Sequence, residues 1–153
     1  CQVGIVIDAT DAGRDHPELT DAEATLRVLR TQVDVVLPSG AAILDAMDPI
    51  AVEMIALCDG EVLLYSINAE AHVLLEHLKR SGRAATVRDH LIVLVYGSHE
   101  VVLGPVTDFV ETAQNVDVLN RALAIAAAGW ALGIAPAQLR SSLKARVVQE
   151  FLV

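Results

Sequence analysis

The run Leu29-Arg30-Thr31-Gln32-Val33-Asp34-Val35-Val36-Leu37-Pro38-Ser39-Gly40-Ala41-Ala42-Ile43-Leu44-Asp45-Ala46-Met47-Asp48-Pro49 changes its hydrophobic period twice. Leu29, Val33 and Val36 recur at helical spacing until Pro38-Ser39-Gly40 stops them. Residues 41–44 are continuously apolar, as a strand buried on both faces must be. Pro49 then stands where a helix begins, because its missing N–H is one that a first turn leaves unpaired anyway. Helix, buried strand and helix in such close succession predict an α/β fold, with a mostly parallel sheet flanked by helices.

The same reading extends in both directions. Residues 3–7 read as a strand, followed by the acidic loop 8–21. Thr20-Asp21-Ala22-Glu23 is a capping-box pattern that opens the helix 21–36. Beyond Pro49, the spacing predicts a helix over 49–57, a turn at Asp59-Gly60, a strand over Glu61–Ser66 and a helix over 70–80 stopped by Ser81-Gly82. Residues 84–87, 91–96 and 100–103 are short β segments that predict a small antiparallel meander on the sheet edge. An Ala-rich helix over 116–132 ends at Gly133, and Pro136 opens a last helix through about residue 149. All of this fits a single α/β domain over 1–153. A strand that begins at once after Cys1 suggests a piece of a larger multidomain protein.

Composition narrows the function. The 153 residues are 54% apolar but only 3% aromatic, so the core must be built from Ala, Val, Leu and Ile. A formal charge of -9 argues against nucleic acid, whose phosphates need a positive surface. No segment is long and apolar enough for a bilayer, and two cysteines make no disulfide framework, so a soluble cytoplasmic protein without membrane partners is expected. Cys58 reads as a small hydrophobe in its apolar run.

Three groups of residues bear on chemistry. Asp8, Asp11, Asp15, His16 and Glu18 follow the first strand, where open α/β sheets place ligands. They read either as a solvated acidic loop or as oxygen and imidazole ligands for Mg²⁺ or Mn²⁺. Asp45 and Asp48 flank the end of the second strand. Asp48 could accept ribose hydroxyls in a nucleotide site, although its place before Pro49 favours a plain helix N-cap. His72, His77, His90 and His99 lack metal-ligand spacing and read as surface or turn residues; Trp130 reads as core packing. No Gly-x-x-x-x-Gly-Lys-Ser/Thr loop occurs in the chain, so no catalytic residue is assigned and this piece alone is expected not to hold ATP tightly.

Residues 28–49, Leu57-Cys58-Asp59-Gly60-Glu61-Val62 and Ala126-Ala127-Ala128-Gly129-Trp130-Ala131-Leu132-Gly133-Ile134, in this order and spacing, resemble the Mur-ligase-like region of cyanophycin synthetases. The resemblance covers residues 1–149. It implies a segment of an ATP-dependent ligase that activates a carboxylate as an acyl phosphate for attack by an amine, building an aspartate and arginine polymer. It further implies ATP and Mg²⁺ as cofactors of the parent, with Asp15 and His16 as the metal pair, Asp48 as the surviving carboxylate of the nucleotide loop, and Asn120, with Asn115 nearby, on the adenine side. The family's metal-bridging Lys aligns with Leu29 or Arg30. The competing readings are a degenerate structural or oligomerising module of a larger synthetase, and a free-standing Mg²⁺-binding domain. The rest of the synthetase is the expected partner, and a homo-oligomer joined through an apolar patch is expected as well.

Overall fold

The computed structural model describes residues 1–7, 9, 22–110 and 115–150. Six strands form one sheet in sequential order: β1 Val3–Ile5, β2 Ala41–Asp45, β3 Glu61–Ser66, β4 Arg83–Arg88, β5 Leu91–Tyr96 and β6 His99–Pro105. The strands β1 to β4 pair in parallel, and β4–β5 and β5–β6 pair antiparallel. The α/β fold with an antiparallel edge is therefore as the sequence predicts. The strand expected as the first of the meander is indeed antiparallel to β5, and it is at the same time the last parallel strand, because its other side pairs with β3.

Three helical segments connect the parallel strands: α1 Ala22–Asp34, α2 Pro49–Glu53 continuing as a 3₁₀ turn over Met54–Leu57, and α3 His72–Lys79. A right-handed crossover that always moves to the next strand keeps its helix on one face. Accordingly Ala42, Leu44, Leu64, Ala84, Val93 and Val95 share one buried cluster with Val33, Met54 and Leu74. The alternate residues Ala41, Ile43, Leu63, Tyr65, Ala85, Ile92 and Leu94 pack on the other face against α4 Val116–Ala131 and α5 Pro136–Glu150. The period of two in strands and the Ala-rich face of α4 thus build a three-layer core, with the small side chains of Ala124, Ala126 and Ala127 in the helix face that packs on the sheet.

The direction of α4 follows from the meander. The strand β6 is antiparallel to β5 and so runs in the same sense as β1 to β4, delivering the chain to their carboxyl ends. From there α4 returns to the amino ends, where the Trp130 carbonyl meets Arg83 at the start of β4. Both hairpin turns use left-handed backbone: Asp89 and His90 at φ 48° and 62°, and Gly97 at φ 56°.

Candidate functional site

The carboxyl ends of the parallel strands carry Asp45, Ser66 and Thr86, all buried, with Asp48 just beyond Asp45. Most of these groups turn the chain. Asp45 Oδ1 accepts from the Met47 N–H at 2.8 Å. Asp48 Oδ1 accepts from the N–H groups of Ile50 at 2.9 Å and Ala51 at 3.4 Å, capping α2 as its place before Pro49 suggested. Ser66 Oγ exchanges hydrogen bonds with the Asn68 backbone at 3.0 Å, and Thr86 Oγ1 donates to the Ser66 carbonyl at 2.7 Å. Met47 is left half-exposed above this end.

The α4 helix starts at the same end of the sheet. Asn115 Oδ1 accepts from the Val118 N–H at 3.3 Å and is the N-cap. Asn120, one turn further, borders the buried face. Its Oδ1 is buried with no hydrogen-bond partner among the described residues. A buried carbonyl oxygen without a donor costs about 1–3 kcal/mol, so this atom is the anomaly of the region. The two asparagines near the start of α4 are thereby separated: Asn115 is spent on the helix, and Asn120 has an acceptor to offer.

The proposed metal pair, Asp15 and His16, lies outside the described residues, as do Asp8, Asp11 and Glu18. Among the described residues no group of three or more His, Cys, Asp or Glu could hold a metal ion. Leu29 is half-buried and Arg30 exposed on α1; neither is a group that could be carbamylated to bridge a metal. The sheet adds a topological point. Open α/β sheets bind ligands where strand order reverses, and β1 to β6 are strictly sequential. Among the described strands there is no such crevice.

Sequence reasoning missed the polar cluster at the opposite, amino end. Arg83 pairs bidentately with Glu61, Nε to Oε1 at 2.7 Å and a terminal nitrogen to Oε2 at 2.5 Å. Its guanidinium lies 4.7 Å from the centroid of Trp130, which is half-buried and packs against the core as the sequence suggested. His77 is no free surface histidine: it is half-buried, its Nε2 lies 3.1 Å from the Arg83 carbonyl, and burial lowers its pKa. The available signal was positional, since Glu61 and Arg83 each open a strand directly after a Gly turn. Both therefore fall at the same end of neighbouring parallel strands.

The fold defines a three-layer α/β domain with its polar, turn-making residues at the carboxyl end of a parallel sheet. No protein-family model matches the chain. It is a cyanophycin synthetase-like region: it is 26% identical over 127 residues to the cyanophycin synthetase of Geminocystis herdmanii, covering 81% of this chain. It is also 30% identical over 115 residues to that of Synechocystis sp., covering 70% of this chain, and 29% identical over 97 residues to that of Crocosphaera subtropica, covering 63%. The chain spans 13%, 13% and 11% of these relatives' own lengths. Among the described residues no helix is long and apolar enough to cross a membrane.

Proposed function

We propose that the chain forms one wall of the nucleotide site of a cyanophycin synthetase-like, ATP-dependent amino-acid ligase, and that alone it forms no amide bond. The observation that supports this reading is the Oδ1 of Asn120, buried toward the carboxyl end of the sheet without a hydrogen-bond partner among the described residues. A base amino group would supply the missing donor and remove the desolvation cost of that oxygen. Asp48 is assigned to the ribose side, its carboxylate already oriented by two backbone donors. The chain has no phosphate loop, so the triphosphate would be held elsewhere in the synthetase. ATP supplies the activation of a substrate carboxylate there. The residues of this chain bind and orient the nucleoside, Asp15 and His16 would approach a Mg²⁺ ion, and the growing aspartate and arginine polymer would be handled by the larger enzyme in the cytoplasm.

A degenerate structural module is the second reading. It is favoured by the engagement of Asp45, Asp48 and Asn115 in the chain's own turns and by Leu29 and Arg30 at the position of the family's lysine. Titrating the chain with adenosine and with ATP, followed by amide NMR, separates the two. Shifts at Asn120 and the first turns of α4 at millimolar adenosine are expected. Silence there at saturating ligand would favour the structural module, and micromolar ATP binding with hydrolysis would overturn the claim that this piece is incomplete.

A further inference from the structure

Asp59-Gly60 is the only point in the 153 residues at which an aspartate or asparagine precedes a glycine. Packing accounts for the glycine. A Cβ at residue 60 would run into the carbonyl oxygen of Gly40 and lie 2.6 Å from that of Leu37. Neither oxygen is free to yield, because the first accepts from the Glu61 N–H at 2.9 Å and the second from the Gly40 N–H at 2.7 Å. The close approach of two backbones thus admits no side chain at this position.

Two further features make the dipeptide reactive. Asp59 is exposed, in a bend that belongs to neither helix nor strand. The Gly60 N–H has no hydrogen-bond partner among the described residues, so no acceptor there restrains its nitrogen. Every other aspartate or asparagine in the chain precedes a residue whose side chain crowds attack by the following nitrogen, and Asp48 precedes Pro49, which has no N–H at all.

From these features we propose that Asp59 isomerises through a cyclic imide, making the turn before β3 a site of covalent modification. The Gly60 nitrogen forms a bond to Asp59 Cγ, and a carboxyl oxygen leaves as water, taking the proton of that nitrogen and the one on the carboxyl group. Water then opens the five-membered ring at either carbonyl. Opening at Cγ restores aspartate. Opening at the main-chain carbonyl leaves Gly60 joined through Cβ and Cγ, which is isoaspartate. The cycle neither gains nor loses an atom and needs no oxidant. It leaves a free α-carboxylate on an exposed turn, the group that isoaspartyl carboxyl methyltransferases esterify. It also lengthens the main chain by one carbon directly before β3. Gly60 is moved from its seat against Leu37 and Gly40, and with it Glu61, whose carboxylate grips Arg83. The fastening of β3 to β4 and Trp130 is what the modification loosens.

Prolonged incubation of the folded chain at neutral pH, followed by peptide mapping and by enzymatic methylation with S-adenosylmethionine, tests this. Isoaspartate is expected at residue 59 alone, at a rate within about tenfold of that in a free peptide of residues 57–62, as an exposed bend of low local stability allows. Asp59→Asn should speed the reaction, because an amide is a better electrophile than an ionised carboxylate and ammonia leaves in place of water. Asp59→Glu should stop it, since the six-membered imide forms far more slowly. The aged chain should unfold at a lower urea concentration with altered Trp130 fluorescence, while Asp59→Glu aged in parallel should keep both. Stronger protection than that relative to the free peptide, an Asp59→Asn chain that stays unmodified while folded, or isoaspartate spread evenly over several aspartates would each overturn the proposal. Isoaspartate at residue 59 with an unchanged urea midpoint would overturn the loosening of the Arg83 contacts.

Discussion

Arg83 and Trp130, far apart in sequence, fasten the end of α4 to the start of β4. The guanidinium stacks 4.7 Å from the indole centroid and donates to the Trp130 carbonyl at 3.4 Å, while its other edge grips Glu61. Arg83 is 20% exposed and Glu61 44%, so the pair is shielded from solvent on the arginine side only. One planar side chain thus couples β3, β4 and α4.

Arg83→Lys should cost about 1–2 kcal/mol of stability, since an ammonium keeps the charge but loses the two-pronged contact and the flat stacking surface. Urea unfolding followed by fluorescence reads it directly, because Trp130 is the only tryptophan in the chain. An unchanged midpoint would mean that the stacking contributes nothing.

Stability should fall on mild acidification through His77. Burial is the main cause of its lowered pKa, opposed by the hydrogen bond to the Arg83 carbonyl and by Glu61, and reinforced by Arg80. The unfolded chain therefore takes up the proton first. The stability that a neutral His77 allows is complete above the ordinary value of 6.5 and is lost as pH falls through 6.5 toward the depressed folded value. The slope from this one proton cannot exceed about 1.4 kcal/mol per pH unit. His77→Gln, which keeps a donor for the carbonyl and cannot titrate, should flatten the profile between neutral and mildly acid pH. A profile with the same slope would assign the effect to another group.

The layers of the fold were legible because period two and period 3.6 are written into residues such as Ala41 to Leu44 and Leu29 to Val36. Strand direction was less so: residues 84–87 show the same short apolar pattern whether paired parallel or antiparallel, and only their position after a helical crossover fixes the first neighbour. The site was legible in type but not in detail. Sequence places two asparagines near the start of α4, and only burial tells the cap from the unpartnered acceptor. The Arg83 cluster joins residues distant in the chain, which no local pattern reports.

Asn120→Ala should leave the free chain as stable as before or more stable by up to about 1 kcal/mol, since it removes a buried acceptor that has no partner among the described residues and improves helix propensity. The same substitution should abolish the adenosine-induced shifts. Asn115→Ala should do the opposite, losing about 1 kcal/mol with the cap. Thermal melts beside NMR titrations check both, and a clear loss of stability in Asn120→Ala would show that its oxygen serves the fold.

The two roles of Asp48 can be pulled apart in the same way. Asp48→Ala removes the acceptor for the Ile50 and Ala51 amides and should cost about 1 kcal/mol. Asp48→Asn keeps an equally good capping oxygen and should cost little. The amide has lost the negative charge that strengthens hydrogen bonds from ribose hydroxyls, so a nucleoside-binding role predicts weaker adenosine binding in Asp48→Asn at unchanged stability. If binding and melting temperature instead move together across both variants, the carboxylate acts only through the helix it caps. The nucleotide reading would then rest on Asn120 alone.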